Sequence, residues 1–163
     1  MFCGDSTHTV DAKHRVFLPK RFQLELPLDE EGGRVAILTR GLDDCLYLFS
    51  EAGFQRALER MDTQTFTGPE QRILQRLFFS HVHKLTLDSS GRVLLPEKLR
   101  KLVGIQKEIQ MVGIYDRVEI WAHDRWEAFE EANADAFGKL ESVLTGVASN
   151  GSVTSGDAEG SDA

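Results

Sequence analysis

The sequence predicts an α+β protein made of two copies of one β-rich unit, which share a core with a pseudo-two-fold axis and carry peripheral helices. The first observation is an internal repeat: TVDAKHRVFLPKRFQ, from Thr9 to Gln23, recurs 77 positions later as TLDSSGRVLLPEKLR, from Thr86 to Arg100. Six of the fifteen aligned positions are identical, which indicates two copies of one structural unit. The second observation is size, because a unit of about 75 residues buries little apolar surface alone. The copies are therefore expected to share one core.

Each copy is expected to begin with a strand, a polar turn, a second strand and a short helix. Proline at the first helical position loses no hydrogen bond that the helix needs. Pro19 and Pro96 therefore predict the starts of the two short helices. In the second copy Gly104 is typical of a helix C-terminus.

Two short apolar runs follow in each copy, and their β-branched and aromatic residues favour strands. The runs span residues 34–38 and 45–49 in the first copy, and 109–112 and 117–121 in the second. Here the offset between the copies falls from 77 to 72, because PLDEEGG in the first copy is replaced by the shorter VGIQK in the second. Loops accept such changes of length.

Three longer helices are also predicted. Ser50 is expected to cap the first, which runs to Met61, Pro69 to start the second, and Asp124 to cap the third. Apolar residues recur along all three at helical spacing and are expected to face the core. These residues are Phe54, Leu58, Met61, Ile73, Leu74, Leu77, Phe78, Trp126, Phe129, Ala136, Phe137 and Leu140.

The repeat predicts a division of the chain into a first unit at residues 1–66, a connecting helix at 67–83 and a second unit at 84–146. Residues 147–163 are small, polar and acidic. Such a segment cannot bury enough apolar surface to offset the entropy of ordering, so it is predicted to be a disordered acidic tail.

The net charge of −7 argues at first against nucleic-acid binding, since phosphate contacts need Lys and Arg. The charge is unevenly distributed, however: residues 1–23 have a local charge of +2 and residues 84–101 of +3. Both copies of the repeated segment are therefore basic inside an acidic chain.

The cellular setting is expected to be cytoplasmic, without membrane contact. No apolar run approaches the length of a membrane span, and the N-terminal residues lack the basic and apolar regions of a leader peptide. Cys3 and Cys45 form no Cys-x-x-Cys pattern, so reduced thiols are expected rather than a disulfide.

The repeated polar turn is the candidate functional feature. In the first copy the Asp11 carboxylate is expected to accept backbone N–H groups, and Arg15 to pair with it. One interpretation is a salt bridge that only fixes the turn. The other is that Lys13, His14 and Arg15 project together towards DNA, with Arg92 making the same contact from the second copy, because arginine suits guanine edges and phosphates.

Competing functions have weaker support in the sequence. His81-Val-His83 on a strand would present two rings on one face, and Cys3 lies near His8, but no second ligand pair has suitable spacing. No phosphate-binding glycine loop, nucleophile elbow or zinc-hydrolase motif is present. We therefore expect no enzyme, no catalytic residue, no metal site, no cofactor and no small-molecule substrate.

The motifs resemble the MraZ family of bacterial transcriptional regulators, which are built from two tandem domains of the SpoVT-AbrB type. The likeness covers residues 1 to about 145 and lies in Met-Phe-x-Gly at the N-terminus, His8-Thr9-x-Asp11, Arg15-x-x-Leu18-Pro19 and Asp88-x-x-Gly91-Arg92-x-x-Leu95-Pro96. It implies AbrB-like swapped-hairpin β units, a homo-oligomeric ring, and binding to direct repeats of double-stranded DNA in the promoter of the division and cell-wall gene cluster, as a repressor associated with the nucleoid. Lys13, Arg15 and Arg92 carry over as DNA-binding residues, and we add His14, Lys20 and Arg21, with Asp11, Asp88 and Gly91 structuring the turns.

Two departures from the family pattern affect the expected DNA preference. His14 stands where the first copy of the family generally has glycine, and Cys3 stands where arginine is frequent. The copies are also unequal, since the second turn has neutral Ser89 and Ser90. If only one turn per subunit reads bases, it is therefore expected to be the first. The alternative function is an AbrB-fold oligomeric interaction or antitoxin-like module that recognises no promoter.

Overall fold

The computed structural model describes residues 1–61 and 68–145 of the 163 residues. The predicted tail at 147–163 lies outside the described residues. The strands are β1 (Phe2–Thr9), β2 (Arg15–Phe17), β3 (Val35–Arg40), β4 (Leu46–Phe49), β5 (His83–Thr86), β6 (Arg92–Leu94), β7 (Glu108–Tyr115) and β8 (Arg117–Ala122). The helices are α1 (Lys20–Gln23), α2 (Glu51–Arg60), α3 (Pro69–Phe79), α4 (Glu97–Val103), α5 (His123–Ala132) and α6 (Leu140–Thr145), with a 3-10 helix at Ala136–Lys139.

The strands of both copies form one six-stranded antiparallel sheet in the order β1-β7-β8-β4-β3-β5, and a separate two-stranded sheet of β2 and β6. The first strand of each copy pairs with a strand of the other copy: β1 of the first copy pairs with β7, and β5 of the second copy pairs with β3. This exchange of strands, with helices around the sheet, confirms the predicted α+β fold class.

The register reveals the pseudo-two-fold axis. In the small sheet Val16 lies opposite Val93, its own equivalent in the repeat. In the large sheet Tyr47 lies opposite Glu119, again its equivalent at the offset of 72. The axis therefore passes through the centre of both sheets.

The core is shared as predicted. Three inward side chains of the first copy have inward equivalents in the second, and each of the six is at most 1% exposed. The equivalent pairs are Val16 and Val93, Leu18 and Leu95, and Phe22 and Leu99. Burying six such side chains contributes on the order of 10 kcal/mol of transfer free energy. Neither copy retains this burial without the other, since they belong to one apolar cluster.

The helix boundaries follow local signals in the sequence. Pro19 and Pro96 immediately precede α1 and α4, and Gly104 ends α4 with φ of 70°. Ser50 caps α2, its Oγ accepting a hydrogen bond from Gly53 N at 3.1 Å. The predicted cap at Asp124 is wrong by one residue, since α5 begins at His123 and Asp124 lies in its first turn.

The prediction that α3 packs its apolar face inward is wrong for three of the four residues named; the fourth, Phe78, is half-buried and its ring stacks on that of Phe54. Ile73, Leu74 and Leu77 are 53%, 66% and 58% exposed. Helical periodicity identifies an apolar face but does not say what covers it. The apolar face of α3 is therefore a surface of this chain as described.

The chain divides into two compact units, Met1–Ala128 and Phe129–Ala163. In the described part of the second unit Phe129, Phe137 and Leu140, which were predicted to face the core, are exposed. This expectation is also wrong, for the same reason as in α3. In neither described stretch, 1–61 or 68–145, is a helix long and apolar enough to cross a membrane.

Candidate nucleic-acid interface

The first signature turn, residues 11–15, is held by one carboxylate. Asp11 Oδ1 accepts hydrogen bonds from the backbone N–H groups of Lys13 and Arg15, both at 2.9 Å. Asp11 Oδ2 accepts from Arg15 Nε at 2.8 Å. A short acidic side chain fits this role because it reaches the backbone two and four residues onward.

The second signature turn, residues 88–92, repeats this geometry. Asp88 Oδ1 accepts from the backbone N–H groups of Ser90 and Arg92 at 2.9 Å, and Oδ2 accepts from Arg92 Nε at 2.8 Å. The identical aspartate and arginine of the repeat thus make the same hydrogen bonds in both turns, although the three residues between them differ.

The two turns are also joined to each other. Arg15 Nη1 lies 3.7 Å from Asp88 Oδ2, and Arg92 Nη1 lies 3.6 Å from Asp11 Oδ2. We call Asp11, Arg15, Asp88 and Arg92 the Asp–Arg quartet. Its side chains are between 27% and 33% exposed, so the quartet lies at the surface and bridges both copies.

The quartet is ionised at neutral pH. Hydrogen bonding from the backbone N–H of Arg15 is the main cause that lowers the pKa of Asp11. The backbone N–H of Arg92 lowers the pKa of Asp88 in the same way. With two carboxylates and two guanidinium groups, the formal charges of the quartet cancel.

The salt-bridge interpretation of the signature is therefore present in the structure, and it extends across the copies. This does not remove Arg15 and Arg92 from the surface, but it fixes their orientation through two carboxylates each. A guanidinium held in this way loses little side-chain entropy on meeting a ligand.

Each turn lies beside the short helix of the opposite copy. Leu95 N donates a hydrogen bond to His14 O, and Leu18 N donates to Gly91 O, both at 2.9 Å. These bonds continue the β2–β6 pairing beyond its ends. The start of α4 is thereby placed next to the first turn, and the start of α1 next to the second.

The last loop residue of each turn has a positive φ, 62° at His14 and 78° at Gly91. Histidine tolerates this region at some energetic cost. At Gly91 space is a second constraint, because an added Cβ would lie 2.1 Å from Gln23 Nε2. Gln23 is buried and donates to Leu18 O at 2.6 Å.

Gln23 was not identified from the sequence as a site residue, although the repeat contains a signal for it. Its equivalent is Arg100, whose Nε donates to Leu95 O at 3.0 Å. Both side chains thus donate a hydrogen bond to the carbonyl oxygen of the leucine that precedes the proline shared by the two copies. Gln23 also lies against Gly91 of the other copy's turn.

The remaining predicted DNA-binding residues occupy different places. Lys13 and His14 are exposed on the first turn, and Lys20 is exposed at the start of α1, beside the second turn. Arg21 points elsewhere: its Nη2 donates to Asp5 O at 2.9 Å, and its guanidinium carbon lies 4.7 Å from the centre of the Phe22 ring. Arg21 therefore packs against β1.

Two apolar side chains complete the outer face of the β2–β6 ribbon. Val16 and Val93 point inward, and their neighbours Phe17 and Leu94 are 43% and 53% exposed. Strand alternation predicts this arrangement once the valines are placed in the core. The exposed face thus combines apolar side chains with the quartet.

The sequence-based metal candidates are not assembled. His81 lies in the turn after α3, not on a strand with His83, and its Nδ1 is 2.6 Å from Leu77 O. His8 Nε2 is 2.8 Å from Ser6 Oγ, and Cys3 is exposed. Among residues 1–61 and 68–145, no three His, Cys, Asp or Glu side chains are grouped as a metal site.

Known proteins are similar to this chain over most of its length. The family model described as "MraZ protein, putative antitoxin-like" matches residues 1–77 and again residues 78–145. The chain belongs to the MraZ family. The two matches confirm the prediction of tandem AbrB-like units in one chain.

Relatives in the MraZ family align over most of this chain. "Transcriptional regulator MraZ" of Carboxydothermus hydrogenoformans is 40% identical over 129 residues, 79% of this chain and 86% of the relative. The proteins of the same name from Clostridium tetani and Moorella thermoacetica are each 36% identical, over 83% and 86% of this chain and 91% and 94% of theirs. These names describe regulators, in agreement with the prediction that this MraZ family member is not an enzyme.

Proposed function

We propose that this chain is a sequence-specific transcriptional regulator that binds double-stranded DNA through its two signature turns. The observation that carries the proposal is the Asp–Arg quartet, which holds both turns at one surface. Residues 11–21 and 88–101, which contain the turns and the starts of α1 and α4, carry eight basic and three acidic side chains. A basic surface on an acidic chain is expected of a protein that binds phosphates at one place. The names of the relatives support the same function.

The roles of the residues follow from their positions. Lys13, His14 and Lys20 are exposed beside the turns and supply contacts to phosphates. Arg15 and Arg92, oriented by the quartet, supply contacts to base edges. A two-stranded ribbon such as β2–β6 fits the major groove of B-DNA. Arg21, which donates to Asp5 O of β1, stays a proposed phosphate contact.

The finer predictions stay proposals with this function. They are a homo-oligomeric ring, binding to direct repeats in the promoter of the division and cell-wall gene cluster, repression, and a cytoplasmic, nucleoid-associated location. The exposed apolar face of α3 supports assembly, since water-exposed patches of this kind mark interfaces. Several weakly binding turns on one ring gain affinity through effective concentration. The unit limits 1–66, 67–83 and 84–146 likewise stay predictions.

An interaction module without promoter recognition is the second candidate function. It is favoured by the words "antitoxin-like" in the family description. Such a module would assemble without preferring the direct repeats over other DNA, so a binding measurement separates the two.

The test is a fluorescence anisotropy titration of a labelled duplex containing the direct repeats, with a scrambled duplex of the same length. Lys13→Ala is the informative variant, because Lys13 is exposed and lies outside the quartet. We expect weaker binding and a slope of log K against log salt reduced by about 0.9, the value of one phosphate contact. Arg56→Ala, which removes an exposed cation of α2, is the control and should bind as the native protein does. Equal binding of both duplexes by the native protein would contradict the proposal.

A further inference from the structure

The two copies carry opposite charges at one equivalent position. Lys20 begins α1 in the first copy, and Glu97 begins α4 in the second. Both side chains are exposed, Glu97 to 67%. Their surroundings, rather than their burial, therefore decide what they do.

The hydrogen bonds beyond the ends of the β2–β6 pair place each of these residues beside the opposite copy's turn. Leu95, two residues before Glu97, donates its backbone N–H to His14 O. Leu18, two residues before Lys20, donates to Gly91 O. Glu97 thus lies next to the first turn and Lys20 next to the second.

Each helix residue differs in charge from the turn of the other copy that it lies beside. The first turn carries Lys13 and His14, and it lies beside the Glu97 carboxylate. The second turn has neutral Ser89 and Ser90, and it lies beside the Lys20 ammonium. Outside the quartet, Glu97 therefore brings a carboxylate, partly offset by its ion pair with Lys101, to the basic turn, and Lys20 brings a cation to the neutral turn.

Glu97 is held as a carboxylate in this position. Lys101 Nζ lies 2.6 Å from its Oε1. The hydrogen bond and charge of Lys101 are the main causes that lower the pKa of Glu97, and the charges of Arg100 and His14 contribute less. The contribution of His14 agrees with the placement that the backbone hydrogen bonds require.

We propose that Glu97 and Lys20 are specificity-determining residues that balance the two turns on DNA. Glu97 repels phosphates near the first turn and so weakens binding that depends on phosphates alone. Contacts to base edges carry no such penalty, so the ratio of specific to non-specific affinity rises. Lys20 supplies the phosphate contact that the second turn lacks. This inference rests on the proposed DNA-binding function.

The first test measures the affinity of the full-length Glu97→Lys variant for the repeat-containing duplex and for the scrambled duplex. This variant introduces the lysine that the first copy has at the equivalent position. We expect tighter binding to the scrambled duplex, a salt slope steeper by about 0.9, and a smaller ratio of specific to scrambled affinity. Glu59→Lys, the same charge change at an exposed position of α2, is the control and should leave the ratio unchanged. If Glu97→Lys behaves as Glu59→Lys does while the native protein prefers the repeats, this inference is overturned and the proposed function stands.

The second test is the charge exchange Lys20→Glu with Glu97→Lys, which keeps the net charge of the chain. The exchange leaves two lysines at the first turn and a carboxylate beside the second. We expect a lower affinity ratio than in the native protein, because placement rather than total charge sets the balance. A native ratio in the exchanged protein would overturn the inference. Native protein that binds neither duplex would overturn the proposed function and this inference with it.

Discussion

Gly91→Ala tests the packing of the second turn against the opposite copy. An alanine at φ of 78° costs about 1–2 kcal/mol in backbone energy. Its Cβ would lie 2.1 Å from Gln23 Nε2, so the glutamine must move and release its 2.6 Å hydrogen bond to Leu18 O. A buried carbonyl without its donor costs roughly 1–3 kcal/mol. The expected loss in free energy of unfolding is therefore about 2–5 kcal/mol.

The assay is urea unfolding at one fixed protein concentration, followed by tryptophan fluorescence, since Trp121 is buried. Gln23→Ala and the double variant complete a cycle with Gly91→Ala. Because Gln23→Ala removes the clash in advance, we expect the double variant to lose less stability than the two single losses combined, by about 1 kcal/mol. Losses that add to within about 0.5 kcal/mol would refute the contact between these residues.

Two further predictions concern the quartet and the surface of α3. Since the pKa values of Asp11 and Asp88 are lowered by folding from an ordinary value of 3.8, their contribution to stability is present above that pH and is lost as the pH falls through their folded pKa values. The urea concentration at half-unfolding should therefore decrease as the pH is lowered below about 4. The Asp11→Asn variant should show a weaker dependence on pH. The same pH profile in the variant and the native protein would show that Asp11 does not contribute. Leu74→Asp should reduce the oligomer mass measured by light scattering, because Leu74 is 66% exposed on the apolar face of α3. The control variant Arg56→Asp on α2 should leave the mass unchanged. Equal masses of the Leu74 variant and the native protein would exclude this face as an interface.

Much of the fold could be predicted because the same order of strand and helix signals occurs twice in the sequence. The strand runs, the prolines before α1 and α4, and the glycine that ends α4 are local signals. The shared core followed from the small size of each copy. The interior of each copy could therefore be inferred from short-range patterns and one argument about burial.

The errors concern helix faces. Leu74 in α3 and Phe137 in the second unit belong to apolar faces at correct spacing, yet they are exposed. Periodicity gives the direction of an apolar face along its own helix, but the neighbour that covers it depends on tertiary or quaternary contacts. A single sequence does not contain that second partner.

The turns were identified, whereas the links between them were not. The bond of Asp11 to Arg15 is local and could be expected from spacing. The pairing of Arg15 with Asp88 and the contact of Gln23 at Gly91 depend on the antiparallel register of β2 and β6. The placement of Glu97 beside the first turn likewise depends on this register.

The position of the axis at Tyr47 and Glu119 explains how the two halves could diverge. In a dimer of identical halves, a residue on the axis faces its own copy, so Glu119 would bring two carboxylates together. In this chain Glu119 faces Tyr47, and Arg117 pairs with Glu119 at 2.9 Å while its guanidinium lies 4.5 Å from the centre of the Tyr47 ring. This contact needs two different partners across the axis. Joining both halves in one polypeptide allows the two partners to differ, and this contact would be lost if either half were replaced by a second copy of the other.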